Sequence, residues 1–186
     1  MIFRKIVVLD IEKTSLVLVD VQSKLAELMY DKETVFSNSV ILVKAAKILG
    51  LPILWCQQYP KALGETIPQL SALLGDERPI DKLCFCCSGH PDFIARLNEL
   101  KREQVILCGI EAHVCVHQTA MDLLDRDYDV HLAADAISSR TESNKKIGIQ
   151  RMRDEGVSIS STEMALFELL RTAEHASFKE VAKLIR

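Results

Sequence analysis

A strand, a helix and a second strand follow one another in the middle of this sequence, and this unit restricts the fold more than any other feature. The first strand is a short apolar run, Gln104–Cys108, which is bounded by Gly109. Apolar residues at helical spacing follow and end near Asp125, and a second apolar run, Tyr128–Ala134, stops at Asp135. This order predicts a βαβ unit of a parallel sheet.

The rest of the chain repeats this alternation of apolar runs and helical patterns. The further predicted strands are Ser15–Val21, Leu51–Gln57, Ile80–Cys86 and Val157–Ser160. The further predicted helices are Phe36–Leu49, Pro91–Leu100, Ser143–Glu155, a helix capped by Ser161 or Thr162 that continues through Leu170, and a weaker one at Ser177–Ile185. Prolines and glycines make Gln58–Pro79 a loop with at most a short helix around Thr66–Leu74. We therefore expect an α/β fold of three layers, α/β/α, with a central parallel sheet.

Length and composition limit the classes of function. A chain of 186 residues suits one domain, and we expect a single domain over residues 1–186. The formal net charge of −3 gives no broad basic surface, so a nucleic-acid partner is not expected. The first residues form too short an apolar run for a secretory signal, and no run approaches the ~20 residues of a membrane-spanning helix. The prediction is a cytoplasmic protein without a membrane partner, although Arg4 and Lys5 leave a mitochondrial address open.

Most of the cysteines have the setting of packed, reduced thiols. Cys56, Cys84, Cys86 and Cys108 lie in apolar, strand-like runs, where free cysteine behaves as a small hydrophobic residue. A domain of this size has little need of disulfides. Cys84, Cys86 and Cys87 lack the spacing of a zinc site, and Cys84 and Cys86 are predicted to share one strand face. A thiol-rich patch is therefore favoured over a metal site.

Three reactive side chains are predicted at the carboxyl ends of different strands, where open parallel sheets bind ligands. They are Asp20, Lys82 and Cys115. Cys115 starts the helix after the central strand, and a helix N-terminus favours a thiolate. A carboxylate can take the thiol proton, and an ammonium can stabilise both anions. Each residue alone would more often be a turn residue, a surface charge or a packed thiol; together they indicate a cysteine nucleophile.

Several short motifs stand along the chain: Asp20-Val21-Gln22, Gln58-Tyr59-Pro60-Lys61, Lys82, Gly109-Ile110-Glu111-Ala112-His113-Val114-Cys115-Val116 and Gln118-Thr119-Ala120. Together they resemble the motifs of the isochorismatase-like cysteine hydrolases, a family that includes nicotinamidases, N-carbamoylsarcosine amidase and isochorismatase. The resemblance covers about Ser15 to Leu170, and it is strongest to the isochorismatase-domain-containing subgroup.

The resemblance implies a Rossmann-like sheet and a catalytic triad of Asp20, Lys82 and Cys115. It also implies a non-proline cis peptide at Ile110–Glu111, with the backbone N–H groups of Glu111 and Cys115 as an oxyanion hole. The implied reaction is hydrolysis of a small amide-like (C–N) or related substrate through a thioester. Relatives commonly assemble into closed oligomers, so a homo-oligomer is expected.

No metal and no cofactor are expected at this site. Nicotinamidases of the family place an Asp and two His residues after the second strand as metal ligands, whereas this chain has Cys56-Gln57-Gln58-Tyr59-Pro60 there. A metal-assisted nicotinamidase is therefore disfavoured. The candidate substrate-contact residues are Gln22, Tyr59, Phe85 and His113.

Two other functions remain open. The chain could be a non-catalytic binding or scaffolding relative of the fold, or a thiol redox sensor that uses Cys115 with a nearby cysteine. A Cys–His pair is disfavoured, because His113 and His117 lie two residues from Cys115 and point elsewhere on a helix. A ribonuclease has no support in the residues, since neither a basic surface nor a catalytic His pair is evident.

Overall fold

The fold is built on one six-stranded sheet in which all strands run parallel, in the order β3-β2-β1-β4-β5-β6. It is seen in a computed structural model that describes residues 8–75 and 78–185. The strands are β1 (Thr14–Val19), β2 (Ile53–Gln58), β3 (Ile80–Lys82), β4 (Gln104–Ile110), β5 (Asp129–Ser138) and β6 (Ser158–Ser160). The predicted parallel sheet and Rossmann-like α/β class are confirmed.

Helices cover both faces of the sheet. They are α1 (Ser23–Ala26), α2 (Lys32–Leu49), α3 (Pro60–Leu63), α4 (Pro68–Leu74), α5 (Pro91–Leu100), α6 (His117–Asp125), α7 (Glu142–Asp154), α8 (Thr162–Leu170) and α9 (Phe178–Ala182). One apolar core packs α2, α4, α8 and α9 against the sheet, and a second packs α5, α6 and α7 against the other face. This arrangement is the predicted three-layer α/β/α fold.

The strand order reverses direction between β1 and β4. The chain proceeds outward from β1 to β2 and β3 on one side, and from β4 to β5 and β6 on the other. Ligands bind at such a switch point, outside the carboxyl ends of the strands. Both central strands are completely buried, as expected for strands covered on two faces.

Close approach of the two central strands depends on a glycine. Gly109 pairs with Val19 and has a φ of +114°, and a Cβ at this position would lie 2.1 Å from the Val19 carbonyl oxygen. Because glycine removes that clash, β4 continues to Ile110, two residues beyond the predicted strand end. The register with β5 shifts between Leu107 and Gly109, and β5 continues past Asp135 to Ser138.

Two predicted strands end earlier than expected at the site edge. The strand predicted over Ser15–Val21 ends at Val19, because Asp20 adopts a left-handed φ of 52°. The strand predicted over Ile80–Cys86 ends at Lys82. The chain then turns, so Cys84 and Cys86 do not share a strand face as predicted.

The predicted helix boundaries differ less. Pro91–Leu100 is confirmed, α2 begins four residues before the predicted Phe36, and α9 is shorter than the predicted Ser177–Ile185. Ser161 caps α8, since its hydroxyl accepts a hydrogen bond from the Met164 N–H at 3.2 Å. Within the described part of the chain, every helix is too short or too polar to cross a bilayer.

Candidate active site

The Asp20 carboxylate and the Lys82 ammonium form a buried ion pair at the carboxyl edge of the sheet. Asp20 follows β1, Lys82 ends β3, and the Lys82 Nζ lies 2.6 Å from Asp20 Oδ2. Both side chains have 0% exposure. Because β2 lies between β1 and β3, the lysine side chain spans the end of β2 to reach the carboxylate.

Backbone carbonyls and an amide hold the Lys82 ammonium in place. It donates to Gln58 Oε1 at 2.8 Å and to the carbonyl oxygens of Phe85 at 3.1 Å and Cys84 at 3.3 Å. These contacts explain why the chain leaves the strand after Lys82: the turn directs its carbonyls at the ammonium. Burial lowers the pKa of Lys82, but Asp20 and the neighbouring thiols raise it more, so the pKa lies above its usual value. Lys82 is therefore a fixed cation.

Asp20 uses only one of its two carboxylate oxygens in the ion pair with Lys82. Its Oδ1 is buried and accepts no hydrogen bond of good geometry from any described residue, while the Cys115 thiol interacts with the carboxylate. Burial raises the pKa of Asp20, and Lys82 and the thiol oppose that rise. A carboxylate with a raised pKa is a stronger base toward a thiol than an exposed aspartate.

The surroundings of Cys115 favour its thiol form, whereas the position at a helix start had predicted a thiolate. It lies in a π-helical turn, Ala112–Val116, that precedes α6, and it is 6% exposed. Burial and the Asp20 carboxylate raise the pKa of the Cys115 thiol, and Lys82 offsets only part of that rise. The expected effect of a helix N-terminus is thus overcome by burial and by a neighbouring negative charge.

The turn before Cys115 contains the expected cis peptide at Ile110–Glu111. The Glu111 carbonyl oxygen accepts hydrogen bonds from Val114 N–H at 3.0 Å and Val116 N–H at 3.2 Å, which close the turn. The Glu111 carboxylate accepts from the Arg140 backbone N–H at 2.9 Å and from its Nε at 3.2 Å. The loop after β5 is therefore tied to the turn.

The predicted substrate-contact residues differ in what they offer. Tyr59 follows β2 and Phe85 follows β3, and their side chains are 47% and 54% exposed. His113 is half-buried, and its Nδ1 is hydrogen-bonded to Ser139 Oγ at 2.9 Å. Gln22 is buried, and its amide is bonded to backbone groups of Gln58, at the end of β2, and of Gly64, so it holds the chain together there; its contact with substrate stays a prediction.

Comparison with known proteins identifies the family. Residues 14–164 match the isochorismatase domain family. The chain is 38% identical to isochorismatase domain-containing protein 2 of Danio rerio over 170 residues, which cover 91% of this chain and 85% of that protein. This chain belongs to the isochorismatase family.

Two solved structures have the same fold. The structure of MAR1 ribonuclease from Caenorhabditis elegans superimposes with a TM-score of 0.91 at 37% identity, covering 96% of this chain and 92% of that one. YcaC from Escherichia coli, an octameric hydrolase of unknown specificity, gives a TM-score of 0.92 at 23% identity, covering 98% and 91%. The chain thus has the hydrolase-like fold of the isochorismatase family.

The cysteines near the site are all free thiols. Cys87 is buried, is hydrogen-bonded to Cys56, and has a pKa raised first by burial. Cys84 and Cys86 are half-buried. Among residues 8–75 and 78–185, no three His, Cys, Asp or Glu side chains are grouped as metal ligands.

Two residues that carry the site were missed in the sequence. Gln58 receives the Lys82 ammonium; its position directly after a predicted strand end and its place in the Gln58-Tyr59-Pro60-Lys61 motif did not specify this contact. Gly148, on α7, lies against the turn that carries Cys115: a Cβ there would be 2.8 Å from the Ala112 carbonyl oxygen. A glycine inside a polar helix gives no hint of such a contact.

Proposed function

We propose that this isochorismatase-family protein is a metal-independent cysteine hydrolase that cleaves a small amide-like (C–N) or related substrate with Asp20, Lys82 and Cys115. The observation that carries the proposal is the buried Asp20–Lys82 pair at 2.6 Å, whose carboxylate also interacts with the Cys115 thiol. A buried ion pair of this kind rarely adds stability, so a chemical role accounts for it better than packing does.

Acylation begins when the substrate carbonyl reaches the sulfur. Asp20 Oδ1 takes the thiol proton as the sulfur attacks the carbonyl carbon, and the carbonyl π electrons move to oxygen. The backbone N–H groups of Glu111 and Cys115 stabilise that oxyanion, an effect worth about 3–4 kcal/mol per donor in other acyl-transfer enzymes. Because the proton leaves the sulfur only during attack, the thiol needs no lowered pKa.

The intermediate then collapses to a thioester. Asp20 gives its proton to the leaving nitrogen, the C–N bond breaks and the amine departs. Asp20 next takes a proton from a water molecule, which attacks the thioester carbon, and the released sulfur recovers the proton. Lys82 stays protonated throughout and stabilises the carboxylate each time it is regenerated.

The test is an activity screen over amides, ureides and carbamoyl compounds. We expect wild-type turnover that survives a chelator, loss of at least about 1,000-fold in Cys115→Ala, and unchanged turnover in the control Cys86→Ala, whose thiol is half-buried and outside the triad. Intact-mass spectrometry should detect the acyl adduct on the wild-type and control proteins and not on Cys115→Ala. Retention of turnover in Cys115→Ala would falsify the nucleophile assignment.

Three other functions are distinguished by the same proteins. A scaffold shows no turnover and no adduct, and a redox sensor shows a Cys115 disulfide after mild peroxide treatment. The structural relative MAR1 is named a ribonuclease, so the screen should also include a labelled RNA. We expect no cleavage, because the chain has a net charge of −3 and a thiol site. If the wild type cleaves RNA and Cys115→Ala abolishes that cleavage, RNA takes the place of the amide as the proposed substrate.

We also propose that the protein is a homo-oligomer in the cytoplasm. The octameric YcaC supports self-association. Light scattering after size-exclusion chromatography gives the subunit number, and a single 20.9 kDa species would contradict the proposal.

A further inference from the structure

We propose that Gln58 is a positioning residue of this site, which fixes the Lys82 ammonium on Asp20 and is itself fixed by the buried Gln22. The inference rests on the proposed function, because it assigns to Gln58 the placement of a triad member. Gln58 ends β2, the strand that the Lys82 side chain has to pass on its way to Asp20.

The amide of Gln58 is oriented by hydrogen bonds at both ends. Its Oε1 accepts from the Lys82 Nζ at 2.8 Å, and its Nε2 donates to the Leu83 carbonyl oxygen at 2.9 Å. The Leu83 carbonyl can only accept, so the amide nitrogen must face it and the amide oxygen must face the ammonium. The side chain therefore presents a fixed neutral acceptor to Lys82.

The backbone of Gln58 is held in turn by Gln22. The Gln58 N–H donates to Gln22 Oε1 at 2.7 Å, and Gln22 Nε2 donates back to the Gln58 carbonyl oxygen at 3.0 Å. The same Nε2 donates to the Gly64 carbonyl oxygen at 2.6 Å, and Gln22 has 0% exposure. Gln22 follows β1, so the two glutamines join the carboxyl ends of β1, β2 and β3 at the ion pair.

A neutral acceptor suits this position because charge here would disturb the triad. A carboxylate at residue 58 would compete with Asp20 for the ammonium and place a second negative charge near the thiol. Without the Gln58 acceptor, the Lys82 ammonium would lose its hydrogen bond on the side of β2 and would no longer be fixed. Its positive charge would then stabilise the Cys115 thiolate less. Both changes should move the titration of Cys115 to higher pH.

The experiment measures the pH dependence of Cys115 alkylation by iodoacetamide, with peptide mass spectrometry as the readout. It uses Gln58→Glu and Gln58→Met, which keep the side-chain length, with Gln150→Glu and Gln150→Met on exposed α7 as matched controls. Alkylation of the fully buried Cys108 in the same samples reports unfolding. No substrate is needed, so the result is independent of the activity screen.

We expect Gln58→Glu to lower the Cys115 alkylation rate about tenfold at a fixed pH below the midpoint, because a tenfold loss of thiolate places the titration midpoint about one pH unit higher. Gln58→Met should lower the rate about threefold, and both controls should match the wild type. If Gln58→Glu does not fold, Gln58→Met decides. A folded Gln58→Met protein that titrates like the wild type overturns the inference. Absence of wild-type turnover in the activity screen, together with the expected change in the thiol titration, overturns only the proposed reaction.

Discussion

Two ion pairs of equal length in this protein serve different purposes. Asp20–Lys82 at the carboxyl edge of the sheet and Asp122–Arg126 on α6 both have a nitrogen–oxygen distance of 2.6 Å. The first pair has 0% exposure on both sides, and the second is 36% and 45% exposed. A surface pair at this spacing in a helix is screened by water, whereas a buried pair has lost its hydration on both partners.

This difference in exposure shows that the nitrogen–oxygen distance of an ion pair does not by itself indicate its role. The Asp122–Arg126 pair follows from two residues four apart on one helix, and it needs no other support. The Asp20–Lys82 pair is satisfied only because Gln58 and the carbonyls of Cys84 and Phe85 complete the ammonium's hydrogen bonds. The end of β2 and the turn after β3 thus supply the acceptors for this one buried ammonium.

The largest expected effect comes from breaking the buried pair. Lys82→Met leaves the Asp20 carboxylate buried without a cation, and we expect a loss of about 3–5 kcal/mol in the free energy of unfolding. Arg126→Met should cause no measurable loss. Denaturant unfolding gives both values, and equal small losses would show that the Asp20 site admits water. The double variant Asp20→Asn/Lys82→Met should regain much of the stability and none of the turnover.

A smaller effect is expected where α7 packs on the turn that carries Cys115. Gly148→Ala would place a methyl group 2.8 Å from the Ala112 carbonyl oxygen, so the turn has to move. We expect a loss of about 1–3 kcal/mol in the free energy of unfolding and a changed Cys115 alkylation rate. Ile147→Ala on the exposed side of the same helix is the control. A stable Gly148→Ala protein with a normal Cys115 alkylation rate would show that packing of α7 does not position the turn that carries Cys115.

The smallest expected effect is a pH dependence of stability that Cys115 causes. Its pKa is raised in the folded protein, so the unfolded chain loses the thiol proton first, from about pH 9 upward. Unfolding then releases a proton, and stability falls by up to about 1.4 kcal/mol per pH unit for one thiol. Denaturant midpoints above pH 9, measured under reducing conditions, should fall less steeply in Cys115→Ser than in the wild type. Identical slopes in the two proteins would show that Cys115 is not buried beside a negative charge.

The local patterns of the sequence determined the fold class. Fully buried parallel strands appear as continuous apolar runs, and helices on their faces show a 3.6-residue period, so the βαβ alternation could be predicted from single segments. The carboxyl ends of those strands also meet at one edge, which is why Asp20, Lys82 and Cys115 could be grouped without coordinates. Strand ends were less predictable, as the turn after Lys82 shows, because an apolar sequence such as Leu83–Cys86 suits both a strand and an exposed turn.

Only the tertiary structure decided how the grouped residues are charged and held. The sequence suggested a thiolate at Cys115 from its place at a helix start, but burial and the neighbouring Asp20 depend on residues 95 positions away and reverse that expectation. Gln22 and Gln58 belong to short motifs that follow two strands, but the motifs do not show their hydrogen bonds, which exist only once β1, β2 and β3 lie side by side. Local sequence encodes periodicity, whereas electrostatic fields and hydrogen-bond partners arise from contacts between distant segments.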